Sequence, residues 1–210
     1  MDKLIIIFEL PILLFSISAH EAAHGWVAYK CGDPTAKMLG RVTLNPLAHI
    51  DPVGTVLIPL LMIIFSPPIM IFGWGKPCPV NPNNFRDYKR DDILVSLGGI
   101  GANLLTAVIA AIIIRVFNIY NGIPYLILYL LIYINLILAA FNLIPLPPLD
   151  GSHVLRQLLP YQYKNKFDFL DRYGFIILLI LINTPILNKF LNFFLEPFIA
   201  LLSLIAGTHF

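Results

Sequence analysis

The chain has 210 residues, of which 58% are hydrophobic and 12% charged, and its formal net charge is +2. Soluble domains carry about 25% charged residues, so this composition excludes an ordinary soluble protein. No basic arm is present, and we expect no nucleic-acid partner. The two cysteines, Cys31 and Cys78, are too few for a disulfide scaffold. Several apolar runs approach twenty residues, which indicates a polytopic membrane protein.

The first apolar segment, 4–30, contains the motif His20-Glu21-Ala22-Ala23-His24. Ionisable groups at membrane depth are costly and usually mark function. On a helix, two histidines four residues apart share one face, where both can bind one Zn²⁺ while the glutamate between them moves protons. The plainer interpretation is a pair of histidines at a helix end whose hydrogen bonds are satisfied by neighbouring groups. No small-residue cleavage site precedes the motif, so we expect the segment to be retained.

The next two stretches differ in polarity. A polar stretch, 31–51, contains Leu39–Asn45, which predicts a short strand. The second apolar segment, 52–72, is long enough to cross a membrane but is interrupted by one glycine and three prolines. The loop after it includes 76–82, whose closely spaced prolines predict an extended conformation.

The third and fourth apolar segments, 93–117 and 125–144, are joined by a short uncharged turn. The run Pro145-Leu-Pro-Pro-Leu-Asp-Gly151 follows and cannot be regular helix, because each proline removes a donor and strains the turn before it. Two shorter apolar runs, 173–183 and 190–206, complete the pattern. We therefore predict an all-α polytopic membrane protein with about five to six membrane segments.

The distribution of basic residues predicts the orientation. The loops 30–52, 73–92 and 147–172 are basic, whereas the turn 118–124 has no Lys or Arg. The positive-inside rule places the three basic loops in the cytoplasm and the turn outside. Segment 52–72 then begins and ends inside, which predicts a re-entrant hairpin. We expect a multi-pass protein of the cell membrane, with its site and short strands toward the cytoplasmic face.

A catalytic zinc site needs a third protein ligand and one open position. The only glutamate outside the first segment is Glu196, and no motif surrounds it. Asp150 is the better candidate, because it follows the fourth segment and lies on the same side as His24 if segments one and four run parallel. Its plainer role would be to cap a helix over 151–159.

The assembled pattern resembles the compact bacterial and archaeal branch of the site-2 protease family of intramembrane zinc metalloproteases. Matching motifs span about residues 15–155: His20-Glu21-x-x-His24, Asn45–Gly54, Gly73–Pro82, Asn142-x-x-Pro145 and Leu149-Asp150-Gly151. The resemblance implies that His20, His24 and Asp150 bind one Zn²⁺ per chain. It also implies that Glu21 is the general base.

The same resemblance implies roles for two asparagines. The family shows a Gly-Pro-x-x-Asn run in the intervening helix, and here Gly99–Asn103 matches it with isoleucine in place of proline. By this resemblance Asn103 donates to the transition state or to a substrate carbonyl. Asn142 takes a similar supporting role or a structural one.

These expectations describe a single domain, 1–210, with a catalytic core over about 4–155 and C-terminal membrane segments over about 173–206. Its partners would be the lipid bilayer and a membrane-anchored protein substrate, cut in or near its transmembrane segment. A membrane metal transporter or metal-binding protein is the alternative, although it needs no glutamate between the histidines. The sequence identifies no substrate, cleavage site, regulator or oligomeric state, and it assigns no role to Glu9, His49 or His153.

Overall fold

The computed structural model describes residues 3–57, 75–208 and 210. Over these residues the chain forms seven α-helices: α1 (Lys3–Cys31), α2 (Thr35–Met38), α3 (Tyr88–Phe117), α4 (Gly122–Asn142), α5 (Asp150–Leu158), α6 (Tyr161–Ile182) and α7 (Pro185–Ala206). Three further helical turns lie between α2 and α3 in the described residues: the 3₁₀ turns Pro46–His49 and Pro82–Asn84 and the π-helical turn Pro52–Leu57.

Local signals in the sequence account for the helix ends. The Asp87 carboxylate caps α3 by accepting a hydrogen bond from the backbone N–H of Arg90 at 3.1 Å. The same helix ends at Asn118, whose φ of 51° is left-handed. Helix α7 begins with Pro185 in its first turn and ends before Gly207, whose φ is 71°. Proline at the start and a left-handed glycine after the end are typical of helix boundaries.

Helix α3 lies at the centre of the bundle and contacts α1, α4, α5 and α7. Its packing face carries small side chains, and Ala107, Ala110 and Ala111 are fully buried. Small residues let helix backbones approach closely, which membrane helices need because lipid provides no hydrophobic drive for their association. Large side chains of the neighbouring helices, such as Ile132 and Leu136 of α4, pack against this face.

Contacts along α1 and α3 show that these helices run antiparallel. The His24 ring contacts the carbonyl of Val95. His20, one turn earlier on α1, contacts Asn103, which lies about two turns later on α3. The carboxyl end of α1 and the amino end of α3 therefore lie at the same end of the bundle.

Helices α1 and α4 run parallel. Ser16 contacts Asn135 within α4. Asp150, which follows the end of α4, contacts His20, which follows Ser16 on α1. This parallel arrangement confirms the condition that the sequence set for His24 and Asp150 to meet.

Helices α3, α4 and α7 are each long and apolar enough to cross a membrane. Large apolar side chains on their outward faces, such as Leu105, Ile109 and Leu204, are exposed in the isolated chain. Apolar surface of this extent requires a non-aqueous partner. The protein is a helical membrane protein, as its composition predicted.

Some expectations from the sequence differ from the structure. The strand prediction for Leu39–Asn45 is wrong, since this stretch forms a turn and bends and no strand occurs in the described residues. A strand needs a neighbour for its backbone groups, whereas here the Arg41 guanidinium donates to the carbonyls of Lys76 and Pro77, at 2.7 and 3.3 Å. Residues 58–72 of the predicted re-entrant hairpin lie outside the described part of the chain.

The C-terminal part also differs from the prediction. The apolar runs 173–183 and 190–206 belong to two long helices, α6 and α7. Helix α6 begins at Tyr161, in polar sequence that hydropathy alone assigns to a loop. Only its second half is apolar, which explains why the sequence showed a shorter segment.

Candidate metal and active site

Three ligand atoms converge where α1 meets the start of α5. The Nε2 atoms of His20 and His24, one helical turn apart, are 2.9 Å from each other. The Asp150 Oδ2 atom lies 3.2 Å from the first and 3.4 Å from the second. Among the described residues, these three form a group of donors that could hold a metal ion.

The donor set fits zinc. A tetrahedral zinc ion with bonds of about 2.0–2.2 Å holds its ligands roughly 3.3–3.6 Å apart. The spacings between Asp150 and the two rings are close to this, whereas the two Nε2 atoms, 2.9 Å apart, would have to separate slightly to bind the ion. The Asp150 Oδ2 atom is buried and has no hydrogen-bond partner. A buried carboxylate oxygen without a donor is costly, and a cation between it and the two rings would satisfy it. Three protein ligands of this kind leave a fourth position for water or substrate.

The far sides of both rings are held by hydrogen bonds. The His24 Nδ1 atom donates to the carbonyl of Val95 at 2.7 Å. The His20 Nδ1 atom donates to Asn103 Oδ1 at 2.6 Å. With the proton on Nδ1, the Nε2 lone pair of each ring faces Asp150, which is the tautomer that a metal ligand needs.

Gly99 of α3 allows the central helix to approach the two rings. A Cβ atom at this position would lie 2.5 Å from His20 Cε1 and 2.5 Å from His24 Nε2. Both distances are well inside van der Waals contact. The glycine is therefore required by space rather than by backbone conformation.

The irregular chain after α4 carries Asp150 to the site. Helix α4 ends at Asn142, and the proline-rich residues 143–149 are not helical, as predicted, although the last two residues of the predicted non-helical run, Asp150 and Gly151, already belong to α5. Asp150 is the first residue of α5, and Leu149 occupies the N-cap position. Asp150 therefore does not cap this helix, the plainer role considered for it. A Cβ atom on Gly151 would collide with the carbonyl of Leu143, so the bend after α4 needs this glycine.

Glu21 lies beside an extended stretch that we call the rim segment, residues 75–85. One carboxylate oxygen, Oε2, accepts a hydrogen bond from the backbone N–H of Cys78 at 2.6 Å. The rim segment is fixed nearby by the N–H of Lys76, which donates to the carbonyl of His49 at 2.8 Å. Glu21 is thus held without losing its other carboxylate oxygen to this contact.

Asp33 fixes the other end of the rim segment. Its buried carboxylate accepts hydrogen bonds from the backbone N–H of Asn81 at 2.7 Å and from the side-chain amide of Asn84 at 2.8 Å. It also accepts from the backbone N–H and the hydroxyl of Thr35. Burial raises the pKa of this carboxyl, but the hydrogen bonds from Thr35, Asn84 and Asn81 together hold the pKa below its ordinary value.

A cavity of about 600 Å³ opens beside these groups. Its polar wall contains the motif residues together with Asn142, Asp92 and His153. Its apolar wall comes from four helices: Ile17, Val95, Leu138, Phe141, Phe175 and Leu178 are among its members. A cavity with a few converging polar groups in an apolar wall is typical of a substrate site.

Asp92 and His153 form a second polar contact on the cavity wall. The His153 Nδ1 atom lies 3.5 Å from Asp92 Oδ1, and the Gln157 side-chain amide donates to Asp92 Oδ2 at 2.7 Å. The nearby Asp92 carboxylate raises the pKa of the His153 imidazole. Glu9 and His49, the other residues without an assigned role, are outside the described wall of the cavity.

The structure brings together His20, Glu21, His24 and Asp150, which the sequence grouped, and it adds Asn142 to the same cavity wall. Asn103 lies elsewhere: it is fully buried behind His20, and its carboxamide contacts that ring instead of the cavity. Glu196, the alternative third ligand, is exposed on α7.

The sequence reasoning missed Asn135 and Ser16, which contact Asn103 or each other. It also missed the contacts of Asp33 and Asp92. Asn135 could have been identified from the sequence as a polar amide in the middle of the apolar segment 125–144, because such residues rarely face lipid.

The fold and the donor set are those of a helical membrane protein with a candidate metal site, and comparisons with known proteins identify its class. The model of peptidase family M50 matches residues 119–181 of the chain. YwhC of Bacillus subtilis, whose name classes it as a zinc metalloprotease, is 39% identical over 183 residues, which cover 83% of this chain and 79% of the relative. Rip2 of Mycolicibacterium smegmatis, named in the same class, is 30% identical over 183 residues, 84% of this chain and 66% of the relative.

A more distant relative, zinc metalloprotease MJ0392 of Methanocaldococcus jannaschii, is 28% identical over 154 residues, 72% of this chain and 34% of the relative. No solved structure is significantly similar to the chain. The chain belongs to peptidase family M50, the site-2 proteases. It is an intramembrane zinc metalloprotease, as the resemblance implied, and the transporter alternative gains no support from these relatives.

Proposed function

We propose that His20, His24 and Asp150 hold one Zn²⁺ per chain and that Glu21 is the general base and acid of peptide hydrolysis. The observation that carries this proposal is the convergence of two Nε2 atoms and one carboxylate oxygen beside Glu21, on the wall of one cavity. The four groups are typical of a catalytic zinc site with one open position. We further infer a single domain over 1–210, whose core is 4–155 and whose C-terminal membrane segments are 173–206.

Different residues of the site have different roles in peptide hydrolysis. When bound, zinc lowers the pKa of water and polarises a carbonyl group. Glu21 takes a proton from the attacking water and passes it to the leaving amine. The Asn142 side chain lines the cavity and can donate to the carbonyl oxygen as negative charge develops there. Asn103 is assigned a different role, because its carboxamide is directed at His20.

Two variants test the assignment. Glu21→Gln keeps the shape of the side chain but removes its basicity, so we expect zinc to stay bound and proteolysis to fall by about 10²–10⁴-fold or more. Asp150→Ala removes one of three ligands, so we expect zinc itself to be lost. Metal analysis and cleavage of a reconstituted membrane substrate separate the two effects. Stoichiometric zinc in an active Asp150→Ala protein would overturn the ligand assignment.

We propose a multi-pass arrangement in the cell membrane with the site near the cytoplasmic side. Helices α1 and α3 are antiparallel, so the chain leaves α1 and enters α3 at the same end of the bundle. The intervening segment 52–72 therefore makes either no complete crossing or two. Its prolines and basic flanks favour a re-entrant hairpin. With α1, α3, α4 and the C-terminal pair, this gives about five to six membrane segments.

Labelling from each side of the membrane tests this topology. Single cysteines at Met38, Asn83 and Asn121, in a background without Cys31 and Cys78, sit at exposed positions outside the long helices. We expect an impermeant thiol reagent to reach the first two from the cytoplasmic side and the third from the outside. Labelling of Met38→Cys and Asn83→Cys from opposite sides would rule out the hairpin.

We propose that the substrate is a membrane-anchored protein, cut near the cytoplasmic end of its transmembrane helix. The cavity is lined by apolar side chains from membrane helices, and the extended rim segment borders it. The helix around a peptide bond must unwind before that bond can be cleaved. The extended rim segment can hold the unwound substrate by backbone hydrogen bonds.

Model substrates with either helix-breaking or helix-forming residues at that end test the proposal. Gly or Asn lowers the cost of opening helical turns in a poorly hydrated place, so such substrates should be cut faster than an all-Leu helix. The two substrates should differ in sequence only at the cytoplasmic end. Faster cleavage of the all-Leu helix would contradict the mechanism.

A further inference from the structure

Three buried polar side chains form a chain of hydrogen bonds behind His20, and we call it the amide relay: Ser16, Asn103 and Asn135. All three are 0% exposed, and they come from three different helices. Asn103 Nδ2 donates to Asn135 Oδ1 at 2.8 Å, and Asn135 Nδ2 donates to Ser16 Oγ at 2.8 Å. The relay ends at Asn103 Oδ1, which accepts the His20 Nδ1 proton at 2.6 Å.

The relay has only one consistent direction. The Ser16 hydroxyl gives its proton to the carbonyl of Ile12 at 2.7 Å, so its oxygen can accept from a neighbour. The Asn135 NH₂ group is used by that oxygen and by the carbonyl of Leu131 at 2.8 Å. The Asn135 oxygen must therefore face Asn103, since a carboxamide has one donor end and one acceptor end.

The orientation of the Asn103 carboxamide follows from the same argument. Its NH₂ group faces the Asn135 oxygen and, at 3.4 Å, the backbone carbonyl of Ser16. Its oxygen is therefore left for His20, and an oxygen accepts only a protonated Nδ1. A reversed carboxamide would place two donors or two acceptors face to face in a place without water, which is costly.

We propose that Asn135 and Ser16, acting through Asn103, are positioning residues that fix His20 in the tautomer and orientation required for metal binding. This inference rests on the proposed role of His20 as a zinc ligand. His24 needs no such device, because its Nδ1 proton goes to a backbone carbonyl, that of Val95. The metal affinity of the site therefore depends on side chains from α3 and α4 at one histidine and on backbone alone at the other.

The alternative is that the relay only holds helices together, as polar pairs do in membrane bundles. The chain offers a matched control in Ser18. Ser16 and Ser18 are both buried on α1, at 0% and 1% exposure, and both hydroxyls donate to the carbonyl four residues earlier. Only Ser16 also accepts a hydrogen bond from the relay. Replacing either serine by alanine removes the same atom.

The experiment measures zinc affinity by chelator competition in the solubilised full chain, with thermal unfolding of the metal-free protein alongside. Loss of a partner that orients a metal-bound histidine typically weakens binding by about 10–100-fold, which we expect for Asn135→Leu. Ser16→Ala should give a smaller loss, because Leu131 still accepts from Asn135. Ser18→Ala should bind zinc as wild type does.

Asn103→Asp provides the conservative test. A carboxylate still accepts the His20 Nδ1 proton, so zinc binding should persist, whereas Asn103→Leu should lose it. A purely structural relay predicts that both variants fail alike, because both lack the donor to Asn135. The ¹⁵N shifts of His20 in the metal-free protein report the tautomer directly, and in Ser16→Ala they should show a larger share of the Nε2-protonated form.

The outcomes separate the two proposals. If His20→Ala abolishes zinc binding while Asn135→Leu and Ser16→Ala bind it as tightly as wild type, the relay does not position the ligand and this inference is wrong. If His20→Ala itself binds zinc normally, the proposed ligand set is wrong first. The positioning role would be supported if the unfolding temperature shifts equally in Ser16→Ala and Ser18→Ala while zinc affinity falls only in Ser16→Ala.

Discussion

The two sides of the proposed zinc site hold their side chains by different chemistry. On the side between the helices, the two carboxamides and one hydroxyl of the amide relay hold His20, and each is fully buried. On the loop side, the carboxylates of Glu21 and Asp33 hold the rim segment by accepting from its backbone N–H groups. A buried charge is costly unless it is hydrogen-bonded, and the buried Asp33 carboxylate accepts hydrogen bonds from Thr35, Asn81 and Asn84. The comparison implies that the two sides fail in different ways when altered.

The largest effect is expected on the helix side, at Gly99. Gly99→Ala places a Cβ atom 2.5 Å from both ligand rings, so α3 or the rings must shift. Because a small displacement removes a metal ligand from its position, we expect zinc affinity to fall by about 100-fold or more, together with activity. Chelator competition and metal analysis measure the loss.

Gly101 on the same helix is the matched control. A Cβ atom there meets nothing within 4 Å. Gly101→Ala should bind zinc normally and gain roughly 0.5–1 kcal/mol from the higher helix propensity of alanine. Equal zinc binding in the Gly99 and Gly101 variants would contradict the close approach of α3 to the site.

The next effect is on the loop side, at Asp33. Asp33→Asn turns one acceptor oxygen into a donor against N–H groups that point at it, including that of Asn81. Hydrogen bonds to a charged group are worth about 1.5–3 kcal/mol, so we expect a loss of that size in the free energy of unfolding. Limited proteolysis should show cleavage within the rim segment before general unfolding. Zinc affinity should change little, unlike that of the Gly99 variant.

Asp87→Asn is a suitable control for Asp33→Asn. Asp87 is exposed and caps α3 through one hydrogen bond, and asparagine caps helices about as well as aspartate. We expect its stability and proteolysis pattern to match wild type. A similar loss in both variants would mean that the Asp33 contacts do not hold the rim segment.

These contacts also show how far the sequence could predict the site. His20, Glu21 and His24 follow from one helical spacing, so the local pattern is sufficient. The prediction of Asp150 required the further argument that segments one and four run parallel, and α1 and α4 are parallel in the structure. The pairing of Ser16 with Asn135, 119 residues apart, depends on the register of two helices, which no local pattern encodes.

Asn103 shows the same limit for rotation about a helix axis. The family pattern identified the residue, but only the packing of α3 against α1 decides that its carboxamide faces His20 and not the cavity. The strand expected over Leu39–Asn45 failed for a related reason, since pairing needs a partner and Arg41 bonds the nearest backbone carbonyls. Hydrophobic periodicity predicted the apolar helices, whereas the first half of α6 lies in polar sequence, where hydropathy gives no signal.

The pH dependence should sharpen the comparison between the two sides. The folded-state pKa of Asp33 lies below its ordinary value of 3.8, so its contribution to stability is fully present above that value and is lost as pH falls through the folded pKa. The stability difference between wild type and Asp33→Asn should therefore shrink as pH is lowered below about 4. The amide relay contains no titratable group, so the stability difference for Asn135→Leu should stay constant over the same range. Denaturant unfolding at several pH values measures both.

The smallest effect of a substitution concerns Cys78, whose backbone N–H donates to Glu21 on the loop side. Burial, and then the negative charge of Glu21, raise the pKa of the Cys78 thiol to about 11. Thiolate is the reactive form, and each unit of pKa lowers its fraction about tenfold at a fixed pH. In a Cys31→Ser background, iodoacetamide at pH 8 should therefore alkylate Cys78 roughly 100-fold more slowly than an ordinary thiol. Glu21→Gln removes the charge but not the burial, so alkylation should speed up only severalfold. An unchanged rate in that variant would mean that the negative charge of Glu21 does not act on the Cys78 thiol.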